Sequence, residues 1–507
     1  MENENILEYN LDDYSLEGGV NSLENRRTYY ATHSCVTKKF NSEVTIWIGA
    51  YNHFEKTKRC VESVLKFTSD VDYDLVLVDN GAGDETYEYF KSVDYPKKTI
   101  IRFNKNTGSA FPFTVVPIDI ISNYFVLLNS DLIVTKNWLS NLLKVMKSDS
   151  KIGVVNPSSN NVSNLQCIEL KYNSYEEMQE MAAKINVSDD SKWEERLRIN
   201  TLGTLVSKEC LYAMGWPFFD VGFSHNFMDD DMSFRARRAG YRLVVTRDTW
   251  ICHDHLYTSE NRDEFAKILD RDRKKFKGKY YGIDPWDDVA YGINTVPQLM
   301  EQIEQIEKNN INILGIDTKC GMPILDIKNK FGYHRTVSTS AFFQDPKYYI
   351  DLSTICNDKV VCDREENIRC HFTDYTYDYI VLGEPVNVYN DPLQIIQDAY
   401  DLLSEGGQFI FSLKNTRNAL SLLSTIGYEI DNDQGIYLDL TLDELNSLLS
   451  GMGIKINGVA VQYYKNISHS INELVCKIFL QHGNKTADLN EMTTRILADK
   501  IWIIIQK

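Results

Sequence analysis

The sequence predicts a mixed α/β protein built from two doubly wound domains. Three observations carry that expectation. The chain has 507 residues, well beyond the roughly 250–300 at which a single hydrophobic core stops growing. Short β-branched apolar runs alternate with amphipathic helical stretches, the pattern of largely parallel sheets covered by helices. That pattern occurs twice, from Val44 and again from Ile311, with a charged stretch between.

Residues 1–42 are rich in Asn, Glu and Asp and lack periodicity, so an extended arm is expected there. VTIWIGAY from Val44 reads as a buried strand, and EKTKRCVESVLKFT as the helix after it, with Cys60, Val61, Val64 and Leu65 on one side. DLVLVDN, KTIIRFN and YFVLLNSD read as further strands, separated by the turn GAGDET and a short helix. RLVVTRDTWI gives a later strand. Residues 261–310 are charged and helical in pattern and read as a connector, with too few heptads for a coiled coil. Residues 311–507 start a second α/β pattern. INILGID, YDYIVLGE and GQFIFSLKN are strands, DPLQIIQDAYDLLSEGG is a helix expected to end on a Gly cap, and IWIII is a buried strand.

Composition narrows the function classes. A net charge of −18 argues against a nucleic-acid binder or a protein bound to anionic membrane, since both need a basic face. No apolar run is long enough to span a bilayer, and the polar, acidic N-terminus does not read as a signal peptide. The ten cysteines form no CxxC pair, which suits a reduced, cytoplasmic protein.

The chemistry-bearing residues cluster at the expected strand exits. In open α/β sheets ligands bind beyond the carboxyl ends of strands, where Asp79 and the triplet Asn129-Ser130-Asp131 fall. A carboxylate there can bind a hard cation and, through it, a diphosphate; equally, it can cap the next helix. MDDDMSFRARRAGYRL sets Asp229, Asp230 and Asp231 before a helix, more acid than capping needs. Packed carboxylates raise one another's pKa, which suits a general base. CHDHLYTS adds His253 and His255, which on a strand at i, i+2 point the same way and could complete a metal site with Asp131.

These pieces in this order resemble the family 2 glycosyltransferases of GT-A fold. The resemblance runs over residues 43–260, through VTIWIGAYNH, VLVDNGAGDET, NKNTGSA, YFVLLNSDLIVTKNWL, NTLGTLVSKECLYAMGWPFFD and MDDDMSFRARRAGYRL, and ends on the histidines. It implies a Rossmann-like nucleotide-diphospho-sugar transferase domain. Ala50, Tyr51, Asn52, Asp79, Asn106, Gly108, Asn129, Ser130 and Asp131 would then contact the nucleotide sugar. Asn129-Ser130-Asp131 stands for the family's DxD motif with its first Asp replaced, so Asp131 carries the metal, Mn²⁺ or Mg²⁺, with His253 or His255. Asp229 matches the catalytic base; its usual acidic neighbour is Met228 here, so Asp229 and Asp230 both stay open. Gly203 and Trp216 fall on the acceptor side.

Residues 311–460 resemble class I methyltransferases, through YDYIVLGEPVNVYNDPLQIIQDAYDLLSEGGQFIFSLKN. The cofactor turn departs from that family: ILGIDTKCGMP keeps Gly321 without closely spaced glycines. The expectation is a domain that does not methylate and does not use S-adenosylmethionine, and that serves acceptor binding, protein contact or self-association. Asp317 and Glu384 are the residues that would matter if it did bind the cofactor.

The function expected is inverting, metal-dependent transfer of a sugar, best read as N-acetylglucosamine, from a UDP-sugar to an acceptor hydroxyl. A Ser/Thr of flagellin and a bacterial surface glycan are the acceptor candidates. The competing readings are a bifunctional transferase and methyltransferase, and a non-catalytic scaffold that binds a nucleotide sugar.

Overall fold

The structure is a computed structural model. It describes residues 6–9, 40–108, 121–215, 218–220, 222–223, 226–254, 262–291, 308–333, 336–418, 438–463 and 497–507, with a few single positions besides. The chain divides into two compact units, residues 1–290 with 332–334, and residues 291–331 with 335–507.

The first unit runs β1 (Ile6–Tyr9), β2 (Val44–Ala50), α1 (Phe54–Phe67), β3 (Tyr73–Asp79), α2 (Thr86–Ser92), β4 (Lys98–Phe103), β5 (Tyr124–Asn129), β6 (Leu132–Ile133), α3 (Trp138–Ser148), β7 (Ile152–Ser159), α4 (Tyr175–Ile185), β8 (Trp193–Arg196), β9 (Thr204–Ser207), α5 (Lys208–Met214), α6 (Met228–Arg238), β10 (Arg242–His253) and α7 (Arg262–Lys279). Its sheet has the order β1-β4-β3-β2-β5-β9-β7-β10-β6, with β8 beside β10. β1 through β5 are mutually parallel, whereas β9 is antiparallel to both its neighbours. β2 and β3 are buried along almost their whole length, as strands covered on both faces must be. α1 and α3 press Cys60, Val61, Val64, Trp138, Leu139 and Leu142 into the core against Ile46, Ile48 and Leu128.

Three local expectations change. Residues 6–9, inside the expected arm, pair in parallel with β4 and extend the sheet edge. Asp229–Asp231 lie within the first turn of α6, not ahead of it. α7, from the segment read as a connector, packs on α6: Phe276 stacks edge-to-face on Phe234 at 5.1 Å, and Tyr280 lies 4.8 Å from the same ring. Most of the helical pattern at 292–307 lies outside the described residues.

The second unit runs β11 (Asn310–Ile316), α8 (Met322–Asn329), β12 (Thr336–Phe343), α9 (Tyr349–Ile355), β13 (Val360–Cys362), α10 (Ile368–Phe372), β14 (Tyr377–Leu382), α11 (Pro392–Leu402), β15 (Leu403–Lys414), α12 (Leu442–Gly451), β16 (Ile456–Tyr463) and β17 (Ala498–Gln506). Its sheet order is β13-β12-β11-β14-β15-β17-β16. The first five are parallel, and β17 is antiparallel to β15 and β16. Strand order reverses between β11 and β14, which makes a switch-point crevice there. The Gly cap expected after the helix is not its terminus. α11 stops at Leu402 into extended Leu403, and Gly406 and Gly407 sit in the irregular start of β15. A side chain at Gly407 would crowd the Ser404 and Tyr377 carbonyls, so close strand approach is what fixes that glycine.

Candidate functional site

The parallel run β4-β3-β2-β5 puts four carboxyl ends on one edge. Arg102 faces Asp79 across β4 and β3, Asp79 faces Ala50, and Gly49 faces Asn129. Ala50, Asp79 and Asn129, distant in sequence, therefore stand side by side. Asp79 is buried; its Oδ1 accepts from Ala82 N at 2.8 Å, and its Oδ2 lies 3.3 Å from Arg102 Nε without hydrogen-bond alignment. Burial holds its carboxyl above the usual range, and the Ala82 N–H and Arg102 offset part of that. A buried carboxylate oxygen at a strand end suits a ligand N–H or hydroxyl.

Tyr51 is exposed beyond β2, and Asn52 and His53 follow it in the left-handed region. That bend is held across the groove: Asn52 Oδ1 accepts from Gly83 N at 2.9 Å, and Phe54 N donates to Asp84 at 3.0 Å. On the other side, Asn80 fastens the loop after β4. Its Nδ2 donates to Asn106 Oδ1 at 3.2 Å and to Gly108 O at 3.0 Å, while its Oδ1 accepts from Thr107 N at 3.0 Å. Asn106 and Gly108 are thus brought to Asp79 by a residue outside the set expected from sequence. Asn80 is legible there only as the end of a strand running into a turn. Gly81 is needed: its φ is +74°, and a Cβ would run into the Lys105 backbone.

The triplet leads into a candidate metal-ligand pair. β6 pairs antiparallel with the end of β10, Ile133 opposite Cys252 and Leu132 opposite His253, so Asp131 meets His253. Their Nε2–Oδ2 separation is 3.4 Å. His253 Nδ1 lies 3.1 Å from the Asn161 carbonyl, and Asn160 brackets the His253 backbone at 2.8 and 3.1 Å. An Nδ1–H donated to that carbonyl leaves the Nε2 lone pair facing Asp131, as in a histidine whose outer nitrogen is tied back so that the inner one can meet a metal. Among the described residues no three His, Cys, Asp or Glu side chains gather as a complete metal cage. A two-ligand site fits a hard cation that takes its other oxygens from substrate phosphate and water. His255 lies outside the described residues. Asp254 belongs to the same edge: its N donates to Asp131 O at 2.9 Å, Lys56 Nζ reaches its carbonyl at 2.7 Å, and Arg59 its carboxylate at 2.6 Å.

The three aspartates of α6 take three different environments. Asp231 is buried and tied to α7 by Lys279 and by Tyr280 Oη at 2.7 Å, and to Arg235 at 2.8 Å, so it is a structural anchor. Asp230 is buried beside Arg198 at 2.9 Å. Burial raises its carboxyl to about 6, against the pull of Arg198 and with a push from Asp229. Asp229 is half-buried; Thr201 Oγ1 donates to its Oδ1 at 2.6 Å, and Ser233 Oγ binds its carbonyl at 2.7 Å. Each carboxylate thus has a different cation or hydroxyl partner, and the mutual crowding expected of the triplet persists at Asp230, which Asp229 and Asp231 both push up.

Thr201 also locates Asp229 relative to the triplet. β9 starts at Thr204, opposite Leu127 of β5. At the preceding Gly203, φ +63°, a Cβ would run into Ile251 and meet Leu128 and Pro157. The loop bearing Thr201 thus crosses near the carboxyl end of β5, from which Asn129–Asp131 depart. Trp216 lies outside the described residues.

In the second unit Asp317 ends β11 at φ +46° beside the crevice. Its carboxylate accepts from Gln344 N at 2.9 Å, Gln344 Nε2 at 3.2 Å and Tyr389 Oη at 2.9 Å, and burial still raises it to about 6. Glu384 lies 3.7 Å from Lys319. Gly321 is explained by packing: a Cβ there would strike Ile355 of α9.

Comparisons with known proteins bear on the first unit. Residues 45–191 match the family model described as glycosyl transferase family 2, so that span carries a family 2 glycosyltransferase domain. The match stops short of Asp229 and His253. Among solved structures, the chain is similar to a mannosyltransferase from Pyrobaculum calidifontis in complex with GDP-Man and Mn²⁺, at 14% identity and a TM-score of 0.32, over 50% of this chain and 72% of that one. It is also similar to GalNAc-T7 with UDP, GalNAc and Mn²⁺, at 12% identity and a TM-score of 0.33, over 48% of this chain and 49% of that one. A search among curated proteins finds no match. No helix among the described residues is long and apolar enough to cross a membrane.

Proposed function

We propose that the first unit is an inverting, metal-dependent glycosyltransferase that moves a sugar, taken as N-acetylglucosamine, from a UDP-sugar to an acceptor hydroxyl. The observation that carries this reading is the Asp131–His253 pair, with His253 oriented through Nδ1 at the strand edge that also holds Asp79. Asp79 and the loops fastened by Asn52 and Asn80 bind the nucleoside. Asp131 and His253 would hold the divalent cation, Mn²⁺ or Mg²⁺, which when bound neutralises the leaving diphosphate. Asp229 takes the proton of the acceptor hydroxyl. The hydroxyl oxygen forms its bond to the anomeric carbon from the face opposite the diphosphate, and the bond from that carbon to the diphosphate oxygen breaks with its electron pair going to UDP. The configuration at that carbon is inverted. Asp229, half-exposed and held by Thr201, is the base in this reading; Asp230, buried against Arg198, positions the start of α6.

The second unit is proposed not to methylate. Its crevice carboxylate Asp317 is already engaged by Gln344 and Tyr389, and its turn lacks closely spaced glycines. Acceptor binding, protein contact or self-association is the role proposed for it, and flagellin hydroxyls and surface glycans are the acceptor candidates.

The test is turnover of a UDP-sugar panel by the full chain with Mn²⁺ and then with EDTA. Turnover that survives chelation refutes the metal reading, and no turnover of any sugar refutes the transferase reading. Calorimetry with S-adenosylmethionine decides the second unit: silence is expected, and micromolar binding overturns the proposal.

A further inference from the structure

We infer that Trp286, with Phe227 behind it, is the platform on which a pyranose ring of the acceptor stacks, so that the acceptor of the proposed transfer is a saccharide. This inference rests on the transferase reading above and goes beyond the span matched to the family, since Trp286 lies almost a hundred residues past its end.

The first observation is position. Phe227 precedes α6 in the left-handed region, at φ +61°, two residues before Asp229. Its ring centroid lies 5.4 Å from that of Trp286. The indole is thereby brought to the start of the helix that presents the candidate base. Phe227 is buried, whereas Trp286 is 39% exposed. One buried aromatic ring therefore backs a second that is part-exposed to solvent.

The second observation is how firmly that indole is held. Asp284 Oδ1 accepts from Trp286 N at 2.9 Å and from Asp287 N at 3.0 Å, and Asp288 accepts from Asp284 N at 2.8 Å. Arg273 of α7 lies with its guanidinium 4.7 Å from the indole centroid. That guanidinium is itself fixed by both oxygens of Asp284 and by Asp287, each at 2.8 Å. α7 is in turn anchored to α6 through Phe276, 6.3 Å from Phe227, and through Tyr280 on Asp231. These partners fix the part-exposed turn and its indole. A rigid ring loses little conformational entropy on binding, which is how a binding surface gains affinity.

The chemistry of the patch selects its occupant. A pyranose presents axial C–H groups on one face and hydroxyls at its edge. An indole accepts the first, and the exposed Asp287 carboxylate beside it offers an acceptor to the second. The protein's net charge of −18 and the exposed Asp287 carboxylate disfavour a polyanionic acceptor.

The experiment uses the full chain and the methyl glycosides of glucose, galactose, mannose and N-acetylglucosamine. Saturation-transfer NMR is expected to mark ring protons of at least one glycoside in the wild type. In Trp286→Ala that signal falls at least fivefold, and in Trp286→Phe it returns to within twofold. In transfer assays Trp286→Ala raises the acceptor KM about tenfold, while kcat and donor KM stay within threefold. The inference is overturned if no glycoside is marked, if the mark ignores Trp286, or if Ser/Thr peptides are the acceptors with a KM indifferent to Trp286→Ala. Marking that depends on Trp286 without any UDP-sugar turnover refutes the transferase reading and leaves the platform standing.

Discussion

Replacing Asp229 and Asp230 separately by asparagine divides the catalytic from the structural carboxylate. In Asp229→Asn the new side chain keeps the shape that receives the Thr201 hydroxyl at 2.6 Å and leaves the Ser233 bond to the backbone carbonyl. Little stability should change, and only the proton acceptor is lost. A general base contributes about 10²–10⁴-fold, so kcat should fall by that factor, or roughly 3–5 kcal/mol of barrier. Asp230→Asn should act the other way. The Asp230 carboxyl rises from 3.8 to about 6 on folding, so the native state holds its proton more tightly than the unfolded chain. Stability from this group is therefore full below about pH 4 and is lost as pH rises through about 6. The ionised form at pH 7 costs up to about 3 kcal/mol relative to the protonated one. The amide in Asp230→Asn mimics the protonated form and should remove that pH dependence without lowering the melting temperature at pH 7. The assays are UDP release under saturating donor and Mn²⁺, and thermal unfolding from pH 4 to 8. The base assignment fails if Asp229→Asn keeps kcat within tenfold or if Asp230→Asn loses more. Earlier unfolding of Asp230→Asn by several degrees at pH 7 would mean that the Arg198 pair outweighs burial, and would refute this account of Asp230.

Asp131→Ala and His253→Ala should each weaken Mn²⁺-dependent UDP binding by ten- to a hundredfold, by calorimetry with and without metal; retained metal dependence in either would remove that residue from the site. Asn80→Ala removes the bonds that fasten residues 106–108 and should raise the donor Kd about tenfold, since roughly 1 kcal/mol is lost for each bond not replaced by water. Tyr280→Phe deletes the 2.7 Å bond to buried Asp231; unfolding should come a few degrees earlier, by about 1.5–3 kcal/mol for a bond to a charged group, with donor KM unmoved.

Periodicity alone made the two α/β halves, their parallel strands and the strand-end positions of Asp79 and Asn129 legible, because side-chain burial repeats locally along the chain. It also made the histidine at the end of β10 a candidate. Local pattern could not rank Asp229, Asp230 and Asp231, which look alike in sequence. Their roles divide only when Thr201, Arg198 and Tyr280 arrive from other segments. For the same reason Asn80 read as the end of a strand, Gly406–Gly407 read as a helix cap, and 261–310 read as a connector. Hydrogen bonds across loops, a strand's close approach and the packing of α7 on α6 are contacts between residues distant in sequence. Residue type and spacing thus determined where the chemistry could lie, and tertiary contact decided which carboxylate meets a hydroxyl, which meets a cation, and which is buried as an anchor.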